Sequence, residues 1–322
     1  MATLFMFVLL GVAALVVDMG SWYQQHRSAQ AAADAAALAG AGLLDASWAQ
    51  AQGAAQANFS MNRDASQTIV ITAATAFPDS SLSGGDSILV TVSSTAPTGF
   101  ASLFGIGSVH ILATAQATLE SYTSQSGHIM PWAIMRDSFA VGNSYAIYTD
   151  NSGSNNGTVD LPLAGTQANS ACDYPSTSGA SDLTAVIAGT QSVGVLHIGD
   201  CLTTKPGGSP TPAKQGLSAI NPWYTLSSAL QLDANGQYTI VQNTAQLAVM
   251  PIVTNADGST TWTTGSSHLI VVGFAWFFVT GYTNAGKQVQ GTFVKLSSVA
   301  SAGQSSGAYS SYGTATTVAL TQ

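Results

Sequence analysis

Charge is what this sequence has least of. Only 7% of its 322 residues are Asp, Glu, Lys or Arg, against about 25% in an average globular chain. Glu occurs once, at Glu120, and Lys plus Arg number 7 against 15 acidic residues, a net charge of −8. Nucleic-acid binding needs a basic surface for phosphate, and so few cations exclude it. A cytosolic enzyme surface rich in Lys and Glu is equally foreign to this composition. Disorder of the usual kind is excluded as well, because it combines high net charge with low hydrophobicity, and here 46% of residues are hydrophobic. Solvent must be met by Ser, Thr, Asn, Gln and Gly, the habit of an exported, β-rich protein. Cysteine is nearly absent too. Cys172 and Cys201 stand alone, without a CxxC or a second ligand pair at metal spacing. In an exported chain two such cysteines pair with each other, closing a loop whose strand signals are weak.

Proline is missing from the first 77 residues, and long apolar runs occur once. Met1 to Val17 is apolar without a break and holds Leu4, Phe5, Phe7, Leu9, Leu10, Val12, Leu15 and Val16. At 17 residues it has the minimum length for a bilayer span, and being apolar on every side it must be buried in lipid or among other helices. Asp18 ends it, and Trp22 and Tyr23 follow at the place of interfacial aromatics. No Lys or Arg precedes the run and no cleavage region follows, so it reads as an anchor rather than a secretory signal. Ala, Gln and Leu then continue the helix to about Asn58, with Gly40, Gly42 and Gly53 as the places where it can break. Small residues at 29–42 would let other helices approach closely. The reading is an anchor that continues as a stalk, with residues 1–62 dispensable for folding of the β body.

After Asn62 the pattern becomes β. TIVITAATAF (68–77), SILVTVSSTA (87–96) and VHILATAQATLE (109–120) alternate or are β-branched, and FASLFGI (100–106) inserts a helical turn. This predicts a ββ-helix-β unit over 63–121. From Tyr122 only strands and loops are expected, with LIVVGFAWFFVTGY (269–282) as a central strand buried on both faces. The fold class is therefore α+β: a long N-terminal helix (1–62), a small β domain packed on it (63–121) and a large β-sandwich-like domain (122–322).

Chemistry is sparse. There is no HExxH and no P-loop, and SLSGG and TQSVG lack the first glycine of a serine nucleophile elbow. Asp150, Asp160, Asp173, Asp182 and Asp200 could supply a glycosidase pair, but most sit beside Gly, Asn or Pro, where Asp serves turns. DNSGSNNG (150–157) resembles a calcium loop only loosely. Trp132, Trp223, Trp262 and Trp276 read as core rather than as a sugar platform. No catalytic residue, metal or cofactor is expected.

One resemblance stands out. AALVVDMGSWYQQHRSAQAAADAAALAGAGLL carries, in order, an apolar helix, Asp18, an aromatic at Tyr23, Gln30 and the Ala-rich run 32–41 with Asp34 inside it. This looks like the opening of TadE/TadG-like proteins of the tight-adherence (Flp pilus) system, and PTGFASLFGIGSVHILATAQATLE continues the likeness to about residue 121. The resemblance implies a non-enzymatic envelope protein: one membrane helix, the bulk outside the cytoplasm, and partners in the lipid bilayer, other pilin-like subunits and the Tad secretion machinery. Two alternatives remain in view. One is the main subunit of an extracellular filament with helix 1–45 in its core. The other is a membrane-anchored secreted enzyme or carbohydrate-binding protein.

Overall fold

The computed structural model describes residues 2–76, 85–153, 155–177, 179–234, 236–263, 265–283, 286–296, 304–307 and 316–320, and the side chains of 2–10, 13, 304–307 and 317 lie outside that set. The turn expected at 79–86 falls mostly beyond the described residues, as does most of the Ser/Gly-rich tail. The protein is α+β, with an N-terminal helix and a large β-rich region. It divides into two compact units, Met1–Leu119 with Val318–Gln322, and Glu120–Thr317.

The first unit opens with α1 (Ala2–Ala41) and α2 (Trp48–Asn62). The stalk is therefore not one rod. It breaks at 42–47, just after Gly40, and Ser47 caps α2 by accepting a hydrogen bond from the Gln50 amide. Gly53 lies inside α2 without interrupting it. The chain turns back because α2 has somewhere to go. A Cβ added at Gly40 would lie 3.1 Å from the Ala51 carbonyl oxygen and 3.1 Å from the Ala55 Cβ, so the two helices meet almost backbone to backbone.

Beneath them lie β1 (Thr68–Ala74), β2 (Ser87–Pro97) and β3 (Ser108–Gly127), antiparallel neighbours in that order. Between β2 and β3 sits a short 3-10 helix, Ala101–Phe104. Alternation sorts the sheet into two faces. Ile88, Val90 and Val92 of β2 and Ile111, Ala113, Ala115 and Ala117 of β3 are buried on the helix side, while the outer face carries Thr and Ser with exposed Val70 and Leu112. Ala29, Ala32, Ala33, Ala36, Ala37 and Ala41 of α1 are fully buried against this layer and α2. Alanine facing alanine is what lets a helix lie so close to a sheet.

The second unit begins within β3, at Glu120. Its further elements are β4 (Trp132–Met135), β5 (Ser144–Tyr148), β6 (Asn156–Thr158), α3 (Ala180–Ile187), β7 (Val193–His197), β8 (Cys201–Thr203), α4 (Pro210–Ala219), α5 (Leu226–Ala229), β9 (Leu230–Leu232), β10 (Tyr238–Ile240), β11 (Leu247–Asn255), β12 (His268–Tyr282), β13 (Gln288–Val294) and β14 (Gln304–Gly307), while β15 (Thr316–Leu320) pairs with β3 and falls mostly in the first unit. A seven-stranded mixed sheet runs β5-β13-β12-β11-β4-β6, with β8 also on β12. Among the described residues β11 and β4 pair in parallel, and the other strand pairs of this sheet are antiparallel. β12 lies between β11 and β13 and is apolar on both sides, as its continuous sequence requires. Leu269, Val271 and Phe274 enter one cluster with Ile129, Val249 and Leu196, and Ala275, Phe277 and Val279 enter another with Trp132, Met250 and Phe293.

Three helices occur where only strands and loops were expected. α3 buries Leu183, Val186 and Ile187, and α4 starts with proline in its first turn, a position proline favours because its missing N–H would be unpaired there anyway. The Pro-rich signal of TKPGGSPTP marks a helix start as well as a loop. Ile187, Ala213 and Leu217 pack into the second cluster, so helices cover that face, while Val193 and Leu196 of β7 pack with Leu269 and Val271 of β12 in the first cluster. Gly216 permits this: its Cβ would lie 2.7 Å from the Ile187 Cβ and 2.8 Å from the Thr184 oxygen.

His128 is mostly buried, and its Nε2 has no hydrogen-bond partner. Burial pulls its pKa down to about 4, against a weaker upward pull from a backbone hydrogen bond with Val186. The folded protein thus holds His128 neutral, while the unfolded chain protonates it near pH 6.5. Stability is complete above about pH 6.5 and is lost as pH falls toward 4, by roughly 3 kcal/mol. Urea denaturation of the second unit at pH 7 and pH 4.5 should show this loss in the wild type and a much smaller one in His128→Gln.

Candidate assembly site on the N-terminal helix

The helix residues singled out by sequence fall into three groups. Leu4, Phe5, Phe7, Leu9 and Leu10 lie in α1, but their side chains are outside the described set. Val12, Leu15 and Val16 are 54%, 55% and 62% exposed, and Val17 and Met19 are similarly open. Successive helical positions point in different directions, so the described side chains here present apolar surface in several directions around the helix. Among the described residues no helix is long and apolar enough to cross a membrane; the apolar run of residues 1–17 lies mainly among the undescribed side chains.

Asp18, Gln30 and Asp34 do the opposite and turn inward. Asp18 is buried. Its Oδ1 accepts hydrogen bonds from the amides of Gly99 at 2.9 Å and Phe100 at 3.3 Å, and its Oδ2 accepts from Ala101 at 2.6 Å. Three successive amides from the start of the 3-10 helix therefore converge on one carboxylate, donated from a position 81 residues earlier. The bond from Ala101, joined by those from Gly99 and Phe100, outweighs burial and holds the Asp18 carboxyl below its ordinary value. Its ionised form is thus satisfied without a cation. Protonation, and with it loss of the clamp, is confined to pH below the usual carboxylate range. Gly99 makes the approach possible, since a Cβ there would lie 3.0 Å from the carboxylate oxygen.

Twelve residues on, the Gln30 side-chain amide donates to Asp34 Oδ1 at 2.8 Å and to the Thr114 carbonyl of β3 at 3.0 Å. Asp34, one turn further along α1, orients Gln30, and Gln30 pins the helix to the sheet. Ser28 adds a third tie by donating to Asp64 at 2.6 Å. Tyr23 alone of the motif residues stays open to solvent. In the Ala/Gly stretch 29–42, read from sequence as a surface for other helices, Ala29, Ala32, Ala33, Ala36, Ala37, Gly40 and Ala41 are buried within the chain, while Ala31 and Leu38 stay exposed. The spacing of Asp18, Gln30 and Asp34 was visible in the sequence. Their partners were not, because every one of them but Asp34 lies more than 80 residues away.

Cys172 and Cys201 form a disulfide with a Cα–Cα distance of 5.0 Å. Asn169 shapes the turn before it: its side-chain oxygen accepts from the Ala171 and Asp173 amides at 3.0 and 3.1 Å, and its amide group donates to the Asp173 carbonyl at 2.6 Å. His268 lies beside the pair, with the three potential ligand atoms within 4.8 Å of one another. The sulfurs are bonded to each other, so neither is a thiolate ready for a metal.

Asp150, Asp160, Asp182 and Asp200 each have a separate local setting. Asp150 accepts from the Ser152 amide and hydroxyl, Asp200 from the His197 amide at 2.7 Å, and Asp182 lies in the first turn of α3. Asp160 pairs with Lys205 at 3.6 Å; burial raises its pKa, opposed by the Lys205 charge. In the 150–157 loop, Asn151 and Asn156 accept from the Thr158 and Tyr148 amides, which leaves them serving the backbone. Trp132 and Trp262 are core residues, and Trp223 packs edge-on against Tyr282. The tail contains a G-x-S-x-G pattern at Gly303–Gly307. It is no nucleophile elbow, because Gln304–Gly307 is strand β14, paired with β3, and an elbow needs a strand-to-helix turn.

Residues 1–57 match the family model described as putative Flp pilus-assembly TadE/G-like. The match ends inside α2 and so covers the apolar helix, the Asp18, Gln30 and Asp34 positions and the helical turn-back. No curated protein and no solved structure matches the chain.

Proposed function

We propose that this protein is a non-enzymatic structural component of the cell envelope, a minor pilin-like or accessory subunit of a Tad-type (Flp) pilus. Residues 1–17 of α1 hold it in the cytoplasmic membrane, and both compact units lie outside the cytoplasm. The observation that carries this reading is the abrupt change along α1. At the described positions Val12, Leu15, Val16 and Val17 the helix is apolar and exposed; from Asp18 onward Asp18, Gln30 and the buried alanines are spent on the chain's own sheet and α2. The family match over residues 1–57 supports a Tad pilus-related role. The disulfide agrees with an oxidising compartment outside the cytoplasm. Scarcity of charge, and acidic side chains spent on turns and single pairs, support a structural role over catalysis. Partners on this reading are lipid, other pilin-like subunits and the Tad secretion machinery.

The test is fractionation of the native host. The wild type should stay with membranes through alkaline carbonate washing. Val12→Asp should be lost from them, with an intact disulfide and unchanged near-UV circular dichroism, because a charge at mid-helix costs about 2.5–3.5 kcal/mol. A wild-type protein that washes off membranes and is absent from sheared surface filaments would overturn the proposal. Abundant recovery in sheared filaments would instead make it the main filament subunit.

A further inference from the structure

The loop that Asp18 grips has an unusual surface. Between β2 and β3 the chain reads TGFASLFGIGS, with no charged residue from Pro97 to Val109. Leu103 and Phe104, in the 3-10 helix, are 81% and 85% exposed, and Phe100 and Ile106 on either side are about half exposed. The loop thus offers two phenylalanines, a leucine and an isoleucine to the surroundings. A loop in water gains nothing from such residues at its tip, and a contiguous apolar patch marks an interaction site.

Its position says with what. The three amide bonds to Asp18 fix the loop at the residue where the apolar run of α1 ends. Exposed Leu15, Val16, Val17 and Met19 lie within one turn of Asp18 on that helix, and Trp22 and Tyr23 stand one turn beyond. The apolar loop is thus continuous with the apolar helix surface at a single level. Fixing a mobile loop there also removes the entropy cost of holding it in place.

We infer that residues 100–106 are a second membrane contact: the tip inserts Leu103 and Phe104 into the interfacial layer of the bilayer beside α1, with Asp18 as the clamp that sets its depth. The inference rests on the reading of residues 1–17 as a membrane anchor. A helix that crosses the bilayer alone is free to rotate about its axis and to tilt; an apolar foot at its rim resists both. The body above the membrane is thereby given a fixed orientation, as a subunit presented to an assembly machine needs. Anionic lipid is not required, because the loop has no cation to pair with it, and its contact should be insensitive to salt.

The experiment uses the full chain reconstituted in phosphatidylcholine vesicles, with its native disulfide oxidised. Single variants Leu103→Cys, Leu15→Cys and Leu38→Cys are labelled with a polarity-sensitive fluorophore and quenched with brominated lipids. Leu38 lies about 30 Å further along α1 at ~1.5 Å per residue and reports the region above the membrane. The labels at 15 and 103 should be blue-shifted and quenched several-fold more than the label at 38, unchanged in 1 M salt. Quenching at 15 with a water-like label at 103 would overturn the loop contact and leave the anchor standing. Water-like labels at both 15 and 103 would overturn the anchor and the loop contact with it. A label at 103 that is blue-shifted without lipid quenching, and only at high protein-to-lipid ratio, would assign the loop to a second copy of the chain and overturn the lipid contact.

Discussion

A chain that begins at residue 63 should fail to fold residues 63–119, although those residues hold three well-formed strands. One face of their sheet is closed by α1 and α2. Without the helices Ile88, Val90, Val92 and Ile111 meet water, at about 1.5–3 kcal/mol each, or roughly 6–12 kcal/mol together. Whole domains are stable by about 5–15 kcal/mol, so the β1-β2-β3 part of the sheet, stripped of the helices on its apolar face, cannot survive the loss. The second unit has its own clusters and should persist. Limited proteolysis of the 63–322 fragment should therefore clip within 63–119 and leave a resistant core near 120–317 that retains the disulfide. A protease-resistant, fully dispersed 63–119 region would show that the helices are a detachable stalk after all. In the full chain the same contact can be probed gently. Gly40→Val should cost about 1–3 kcal/mol by overpacking, because the added carbons meet the Ala51 backbone and Ala55 rather than space.

Replacing both cysteines with alanine should lower the stability of the second unit by about 3–4 kcal/mol on the chain-entropy view. The bond closes a loop with a sequence separation of 29 residues. That loop contains α3 and β7, which reach the sheet through Val186, Ile187, Val193 and Leu196, so the cross-link restrains an unfolded segment that the native fold must bring to two faces of the sheet. Cys201 is seated on β8 opposite Ile270 of β12, and the Tyr174 hydroxyl still donates to the Cys201 carbonyl at 3.0 Å when the sulfur is gone. The native arrangement should therefore be retained, with the loss appearing in the urea midpoint of the second unit and not in that of the first. A midpoint unchanged by the double substitution would mean that the loop is already ordered in the unfolded chain, and the disulfide would then add nothing.

Much of this architecture was legible because it is local. The period-two pattern of SILVTVSSTA and VHILATAQATLE marks β2 and β3, and the unbroken apolar sequence of 269–282 marks a strand covered on both sides; both are read directly from side-chain alternation. The three helices of the second unit were not legible. α3 has eight residues and α5 four, too short for a helical period to emerge, and α4 opens in a Pro-Gly segment that also suits a turn. Tertiary packing against the sheet holds them, as it does most short helices.

The sequence by itself determined the boundary at Asp18, the all-round apolarity of the segment before it, the small-residue helix after it and the pairing of two lone cysteines. Each follows from composition or from spacing within a turn or two. Tertiary structure decided what those features are for. The Ala/Gly surface looked open to other subunits, yet α2 and the Ile88–Ala117 face of the sheet occupy one face of it, because the break after Gly40 returns the chain upon itself. Asp18 looked like the end of a membrane helix; it is also the acceptor for three amides of a loop whose own sequence contains no clue to its partner. A carboxylate's need for donors is a local fact, but which donors meet it depends on contacts between residues far apart in the chain, and those exist only once the sheet has formed.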